Sequence, residues 1–238
     1  MGSVATEIRG AVAVVSFDNA ARMYAIDAGV AEGLAAAAAE LKARKDIGAL
    51  VLRGAGERSF CSGIDLKFVE QFPERAAGFA ALDEKIGSFG RDMAEMPFPT
   101  IAMLYSHCHG GGVHLAAMAD FRFGDAALKL SVPAVRNRLF YPIPALERLV
   151  LIIGETKTKR LMYEGETLAA ETLLAWGFLD RVCAGAELEG ETLAHAAKLA
   201  AQPREVVAVY QEIFRALRRG DSDKARELRA QARAEPWS

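Results

Sequence analysis

The chain has 238 residues, enough to bury a sizeable core in one large domain or two small ones. Apolar residues make up 52% and charged residues 25%, which excludes disordered, collagen-like and low-complexity chains. The net charge of -2, from 29 basic and 31 acidic residues, gives no support to a nucleic-acid or membrane-surface role. Cys61, Cys108 and Cys183 are far apart and form no C-x-x-C pair. They read as reduced thiols, and a cytoplasmic location is expected. No apolar run approaches the ~20 residues of a membrane-spanning helix, and no apolar signal segment opens the chain.

In chain order, residues 11–17 (AVAVVSF) and 48–53 (GALVLR) are valine-rich runs bounded by turn residues and read as buried strands. Between them Asp27 can cap a helix whose apolar positions Val30, Leu34, Ala37 and Leu41 recur at helical spacing. Leu82, Ile86, Phe89, Met93 and Met96 mark a second amphipathic helix, which ends before Pro97 and Pro99. Residues 100–105 (TIAMLY) form a strand, followed by a glycine triplet, a helix through Met118 and a short strand at 121–124. This alternation argues for an α/β fold with parallel pairing. After about residue 155 the pattern turns helical: 156–163, 168–176, 188–201, 204–219 and 222–233, with only 178–183 strand-like. Val206, Tyr210, Ile213, Phe214 and Leu217 make an apolar stripe that needs a partner surface, on the parent domain or on another subunit.

The densest polar cluster is HCHGGGVH, residues 107–114. A metal site on His107, His109 and His114 would need further ligands at matching spacing, and no H-E-x-x-H motif is present; no metal is expected. An HGGG motif of lipase type would need a G-x-S-x-G elbow downstream, and none of Ser131, Ser222 and Ser238 sits between glycines. Two readings stay open for the triplet. Its glycines either allow tight strand-to-helix packing or free backbone N–H groups to meet a developing negative charge.

A second strand-to-helix turn, Phe60-Cys61-Ser62-Gly63-Ile64-Asp65-Leu66, also exposes backbone N–H groups. Two such turns can clamp one carbonyl oxygen. Here the sequence resembles the crotonase (enoyl-CoA hydratase/isomerase) family. FCSGIDL resembles F-C-A-G-A-D-L, and GGGVHLAAMADFRF resembles G-G-G-x-E-L-A-L-A-C-D-x-R-x. YEGETLAAETLLAWGFLDRV resembles T-G-x-x-I-x-A-x-x-A-x-x-x-G-L-V-x-x-V, and ARMYAID falls where members have K-R-N-A-L-D. The resemblance runs over nearly the whole chain.

It implies a spiral of ββα units, residues 1–185, followed by a helical trimerisation region, residues 186–238, with trimers commonly paired into hexamers. It also implies an acyl-CoA thioester ligand, with coenzyme A as part of the substrate and no other cofactor. The thioester oxygen would be held by the N–H groups of Ile64 and Gly111. Ser62, Gly63, Leu66 and Gly110 flank these donors, and Asp65 reads as the cap of the next helix. Arg22 falls at a basic position near the CoA phosphates, and Ala25 lies beside the ligand.

The sequence also departs from the family. Hydratases use two glutamates, and here those positions are His114 and Ala134. Addition of water needs groups to hold it, deprotonate it and deliver a proton, and an alanine does none of these. His114 is either a neutral imidazole acting on substrate or a polar residue left in a site without its glutamate. Tyr141 stands where some family decarboxylases carry a tyrosine near the substrate's acid group; otherwise it packs beside Pro142. Arg136 and Arg138 either bind a substrate carboxylate or point to solvent. His107 and His109 are expected to support the loop, and His195 to lie on the surface. FYPIPA, Phe140–Ala145, is expected as a stiff loop where members have I-P-G-A-G-G. The chain ends at Ser238, where many members add a helix over the acyl site, so that cover is expected to be missing or supplied by a neighbour. Two functions follow: an enolate-forming acyl-CoA enzyme whose reaction is isomerisation, decarboxylation or C–C hydrolysis, or a catalytically silent acyl-CoA-binding protein.

Overall fold

The computed structural model describes residues 1–234. The chain opens with a hairpin, β1 (Ser3–Arg9) and β2 (Val12–Asp18), turning at Gly10, whose φ of 62° favours glycine. Helix α1 (Ala28–Ala43) then crosses to β3 (Ala49–Gly54). Its cap is Asp27, as expected, whose carboxylate accepts the Val30 N–H at 2.9 Å. The short α2 (Leu66–Val69) and the long α3 (Arg75–Ala94) lead to β4 (Thr100–Leu104), β5 (His107–His109) and α4 (Gly111–Met118). Next come β6 (Phe121–Asp125), β7 (Lys129–Ser131), α5 (Ile143–Ile153), α6 (Glu155–Glu164), β8 (Leu168–Ala169) and α7 (Ala170–Trp176). Strand β9 (Arg181–Cys183) and helices α8 (Gly185–Ala200), α9 (Arg204–Arg218) and α10 (Ser222–Ala234) complete the described chain.

The main sheet has the order β1-β2-β3-β4-β6-β9, parallel throughout except for the β1-β2 hairpin. Its central strands are buried on both faces, which is why they read as continuous apolar runs. Alternate residues divide them between two cores. Ala13, Val15, Phe17, Leu50, Leu52, Ala102 and Leu104 face the large core under α1, α3 and α4. Val12, Val14, Ala49, Val51, Ile101 and Met103 face a smaller core closed by Leu188 and Ala196 of α8. Arg53 of β3 and Glu189 of α8 lock that layer with an ion pair of 2.7 Å. A second sheet, β5-β7-β8, stands beside the first and carries the strand that leads into α4. No helix among the described residues is long and apolar enough to cross a membrane.

Four features depart from the sequence expectations. Strand β1 is nearly all exposed, with Val4 alone packed against the core, so its apolar signal is too weak to reveal it. The strands of the second sheet have two or three residues each, too few to show a period. Residues 143–145, expected within a loop, form the first turn of α5, where Pro144 is tolerated because first-turn N–H groups have no intrahelical acceptor. His195 is half-buried rather than a surface residue, its ring 5.5 Å from Phe121 and 5.1 Å from Phe123. Its Nε2 is buried without a partner among the described residues, and burial lowers its pKa.

Helix α9 is latched to its own subunit by polar groups. Arg204 donates to the Ile47 carbonyl at 2.8 Å, Arg215 to the Glu95 carbonyl at 2.6 Å, and Gln211 to the Asp120 carboxylate at 3.0 Å. The apolar stripe is thereby split. Val206 and Ile213 are half-buried, while Tyr210, Phe214 and Leu217 stay 57%, 53% and 49% exposed. Ser238, where a missing cover was expected, lies outside the described residues.

Candidate active site

Two glycine turns meet at the C-terminal ends of the buried strands. In the first, Ile26 donates to the Gly63 carbonyl at 2.8 Å and Asp65 donates to the Ile26 carbonyl at 2.9 Å. These bonds flank Ile64 in extended backbone, so its own N–H faces the other way. Gly63 has a φ of 105°, and a side chain there would press to 3.2 Å from the His109 carbonyl. Ser62 ties the turn to the preceding segment, its hydroxyl donating to the Arg22 carbonyl at 2.8 Å and its N–H to that of Met23 at 3.1 Å.

In the second turn Gly110 donates to the Ser131 carbonyl at 3.0 Å and adopts a φ of 48° with a ψ of -114°. Its carbonyl accepts from Val113 at 2.9 Å, so α4 begins there and leaves the Gly111 N–H as a first-turn orphan. The turns are pinned together by a bridge between Cys61 and Cys108, each three residues ahead of a donor. A β-carbon added at Gly111 would lie 3.7 Å from the Ile64 nitrogen, and one added at Gly63 would lie 3.7 Å from the Gly111 nitrogen. The two N–H groups are neighbours, and neither has an acceptor among the described residues.

The surroundings of this pair carry little charge. Cys61 and Cys108 are wholly buried, and burial pushes the Cys61 thiol up to about 12. Tyr141 is held well above the usual phenol range, chiefly by burial. Its hydroxyl donates to the Gly110 carbonyl at 2.9 Å, so this phenol braces the second turn, a role the sequence did not suggest. His114 is 1% exposed, and burial brings its pKa down to about 4. Burial thus keeps the ring neutral near pH 7, and its Nε2 has no partner among the described residues.

Other expected residues fall into two groups. Arg22, Ala25, Asp65 and Leu66 gather around the first turn. Arg22 lies 3.9 Å from the Asp65 carboxylate, which caps α2 by accepting the Lys67 N–H at 3.0 Å. Ala134 is buried and has no polar side-chain atom to offer. Arg136 and Arg138 are exposed, and neither side chain has an ion-pair or hydrogen-bond partner among the described residues. His109 supports the loop through its Nδ1, 2.9 Å from the Ser131 hydroxyl. No group of three or more histidine, cysteine or acidic side chains among the described residues is placed to hold a metal.

The sequence reading passed over Asp83 of α3. It is half-buried, has no hydrogen-bond or ion-pair partner among the described residues, and its charge reaches Tyr141. A charged residue beside Leu82 and Ile86 on an otherwise apolar helix face was the available signal.

The family model described as enoyl-CoA hydratase/isomerase matches residues 7–237. Among curated relatives, the mevalonyl-coenzyme A hydratase SIDH of Beauveria bassiana is 31% identical over 207 residues, covering 83% of this chain and 73% of that protein. The (E)-benzylidenesuccinyl-CoA hydratase of Thauera aromatica is 27% identical over 209 residues, covering 87% and 80%. An enoyl-CoA hydratase/carnithine racemase from Magnetospirillum magneticum superposes with a TM-score of 0.86 at 25% identity, over 91% of this chain and 81% of that one. The structure of Pseudomonas aeruginosa DspI gives a TM-score of 0.90 at 23% identity, over 96% and 87%, and shares the fold. A family match spanning almost the whole length, on a fold common to these structures, leads to one conclusion: the chain belongs to the enoyl-CoA hydratase/isomerase family.

Proposed function

We propose that this protein holds the carbonyl oxygen of an acyl-CoA thioester between the N–H groups of Ile64 and Gly111 and turns the thioester over through its enolate. The observation that carries the proposal is the pair itself: two adjacent backbone donors, from two separate glycine turns, with no acceptor of their own. Such donors act more strongly on the enolate oxygen than on the ground-state carbonyl, and each is worth about 3 kcal/mol of barrier. The neutral groups around them, Tyr141, Cys61, Cys108 and His114, supply no competing charge. Arg22, whose side chain is 37% exposed beside the first turn, suits the phosphates of coenzyme A.

Ordinary hydration does not fit this site. The positions where hydratases carry glutamates hold a neutral imidazole and a methyl group. The reaction is therefore one that passes through the clamped enolate without adding water across a double bond: isomerisation, decarboxylation or C–C hydrolysis. The exposed Tyr210, Phe214 and Leu217 suit a trimer built on the late helices, residues 186–238, against the core of residues 1–185.

The test is a panel of enoyl-, malonyl- and β-ketoacyl-CoA thioesters, with binding measured alongside turnover. Turnover of at least one, with crotonyl-CoA hydration far below ~10 per second, is the expected result. Binding of thioesters with no turnover of any would favour the second reading, an acyl-CoA-binding protein without catalysis, for which the missing carboxylates speak. Crotonyl-CoA hydration at an ordinary enzymatic rate would refute the silent-binder reading and the exclusion of hydration, and would leave the clamp itself standing.

A further inference from the structure

We propose that the cavity between α5 and α9 binds an organic anion, a carboxylate on an apolar body, at a site separate from the thioester clamp. The cavity has a volume of about 460 Å³. It lies at the N-terminal ends of β4 and β6, where the Asp120 carboxylate on its wall accepts the Thr100 N–H at 2.9 Å. The clamp sits at the opposite ends of these strands, about 16 Å away for five residues at ~3.3 Å each.

Three arginines line the cavity, and they are not equivalent. Arg122 is buried and committed: it pairs with Asp180 at 3.4 Å and donates to the carbonyls of Phe178, Ala119 and Asp120. Arg148 donates to the carbonyls of Ala117 and Ala119, both at 3.0 Å, and Arg218 to that of Ala94 at 3.3 Å. Those bonds leave Nη1 of Arg148, and Nε and Nη1 of Arg218, without an acceptor among the described residues. Neither side chain has an ion-pair partner there.

Two half-buried guanidiniums in this state are costly, because each has lost water and gained no opposite charge in contact. Burial lowers the pKa of both, and like charge lowers them further: Arg122 acts on Arg148, and Arg148 acts on Arg218. Asp120 attracts both but pairs with neither, and it already accepts from Thr100 and Gln211. An anion entering the cavity would take up the free donors of both forks. The rest of the wall selects its body. Leu151, Ile152, Phe214 and Leu217 are apolar, and a small hydrated ion would leave that surface wet. An amphiphilic acid covers it.

Isothermal titration calorimetry at pH 7.5 and low salt tests the site with octanoate, 1-octanol and inorganic phosphate. Octanoate is expected to bind one per chain, at least about tenfold tighter than 1-octanol, which lacks the charge, or phosphate, which lacks the body. Arg148 also secures the end of α4, so Arg218, with its single long bond, is the cleaner position to change. Arg218→Gln should weaken octanoate about tenfold or more. Leu151→Glu, at an exposed position, puts a charge of the wrong sign at the mouth and should weaken it likewise. Gly111→Pro, or saturation with butyryl-CoA, should leave octanoate affinity within about twofold, since the clamp is a different site. Displacement of octanoate by butyryl-CoA, or equal affinity in wild type and Arg218→Gln, would overturn the proposal. A wild type that binds no octanoate would overturn it too. If Arg218→Gln then sediments as a smaller species than wild type, the anion these arginines meet is a carboxylate of a second copy.

Discussion

His114→Leu separates burial of a neutral ring from every other titration in the fold. In the folded chain the His114 pKa is lowered from 6.5 to about 4 by burial, and in the unfolded chain it returns to the ordinary value. Between those values the unfolded chain holds a proton that the folded chain lacks, so stability rises with pH across that window. The contribution is complete above the unfolded value and is lost as pH falls toward the folded one. At ~1.4 kcal/mol per pH unit the loss approaches about 3 kcal/mol. Asp83 and Asp125, whose pKa values are raised by burial, act in the opposite direction, so the absolute slope of the wild type is not diagnostic. The difference between wild type and His114→Leu is, because those carboxylates are common to both. Leucine fills a similar volume and does not titrate. Urea unfolding at pH 7.5 and 4.5, followed by circular dichroism, should show the wild type losing about 2–3 kcal/mol more than the variant on acidification. Equal losses in the two proteins would show that the ring is not buried neutral, and the site's low charge would have to be abandoned.

Three further outcomes follow from the same geometry. In Gly112→Ala the new methyl would fall 2.6 Å from Cys61 Cβ and 3.0 Å from its carbonyl, so the two turns must separate. A loss of about 1–3 kcal/mol in a denaturant titration is expected, and an unchanged midpoint would refute the close approach. Tyr141→Phe removes the donor to the Gly110 carbonyl and should cost about 1 kcal/mol of stability together with a slower kcat at unchanged pH dependence. A shifted pH profile would instead make the phenol a proton-transfer group. With Tyr210, Phe214 and Leu217 about half exposed, the wild type should sediment as a trimer or a multiple of it, and Phe214→Glu should yield monomers. A monomeric wild type at micromolar concentration would end the assembly claim.

The parts of the fold legible in the sequence were those with a repeating apolar signal. The strands around Val14, Val51 and Ile101 are buried on both faces, and the helices containing Leu34 and Phe89 bury one stripe each, so pattern and position agree. Asp27 was readable as a cap because a short acidic side chain before an apolar helix has one obvious use. Strand β1 puts only Val4 against the core and is otherwise held by backbone pairing to β2, which leaves no trace in residue type. His195 was misjudged because the rings that cover it, Phe121 and Phe123, come from a distant strand.

In the site, the glycines marked both turns, since a positive φ at Gly63 and at Gly110 is needed to bring them together. The bracing role of Tyr141 was hidden because its acceptor is a main-chain carbonyl across the site.

The central claim is that Ile64 and Gly111 polarise a thioester carbonyl. Isotope-edited infrared difference spectroscopy of butyryl-CoA labelled with carbon-13 at C1 reads that bond directly in the bound state. Two backbone donors on one oxygen weaken the C=O bond, so the bound stretch should move to lower frequency, and Gly111→Pro, which deletes one donor, should reverse part of that shift. A bound carbonyl that absorbs at its frequency in water, unchanged by Gly111→Pro, would contradict the clamp.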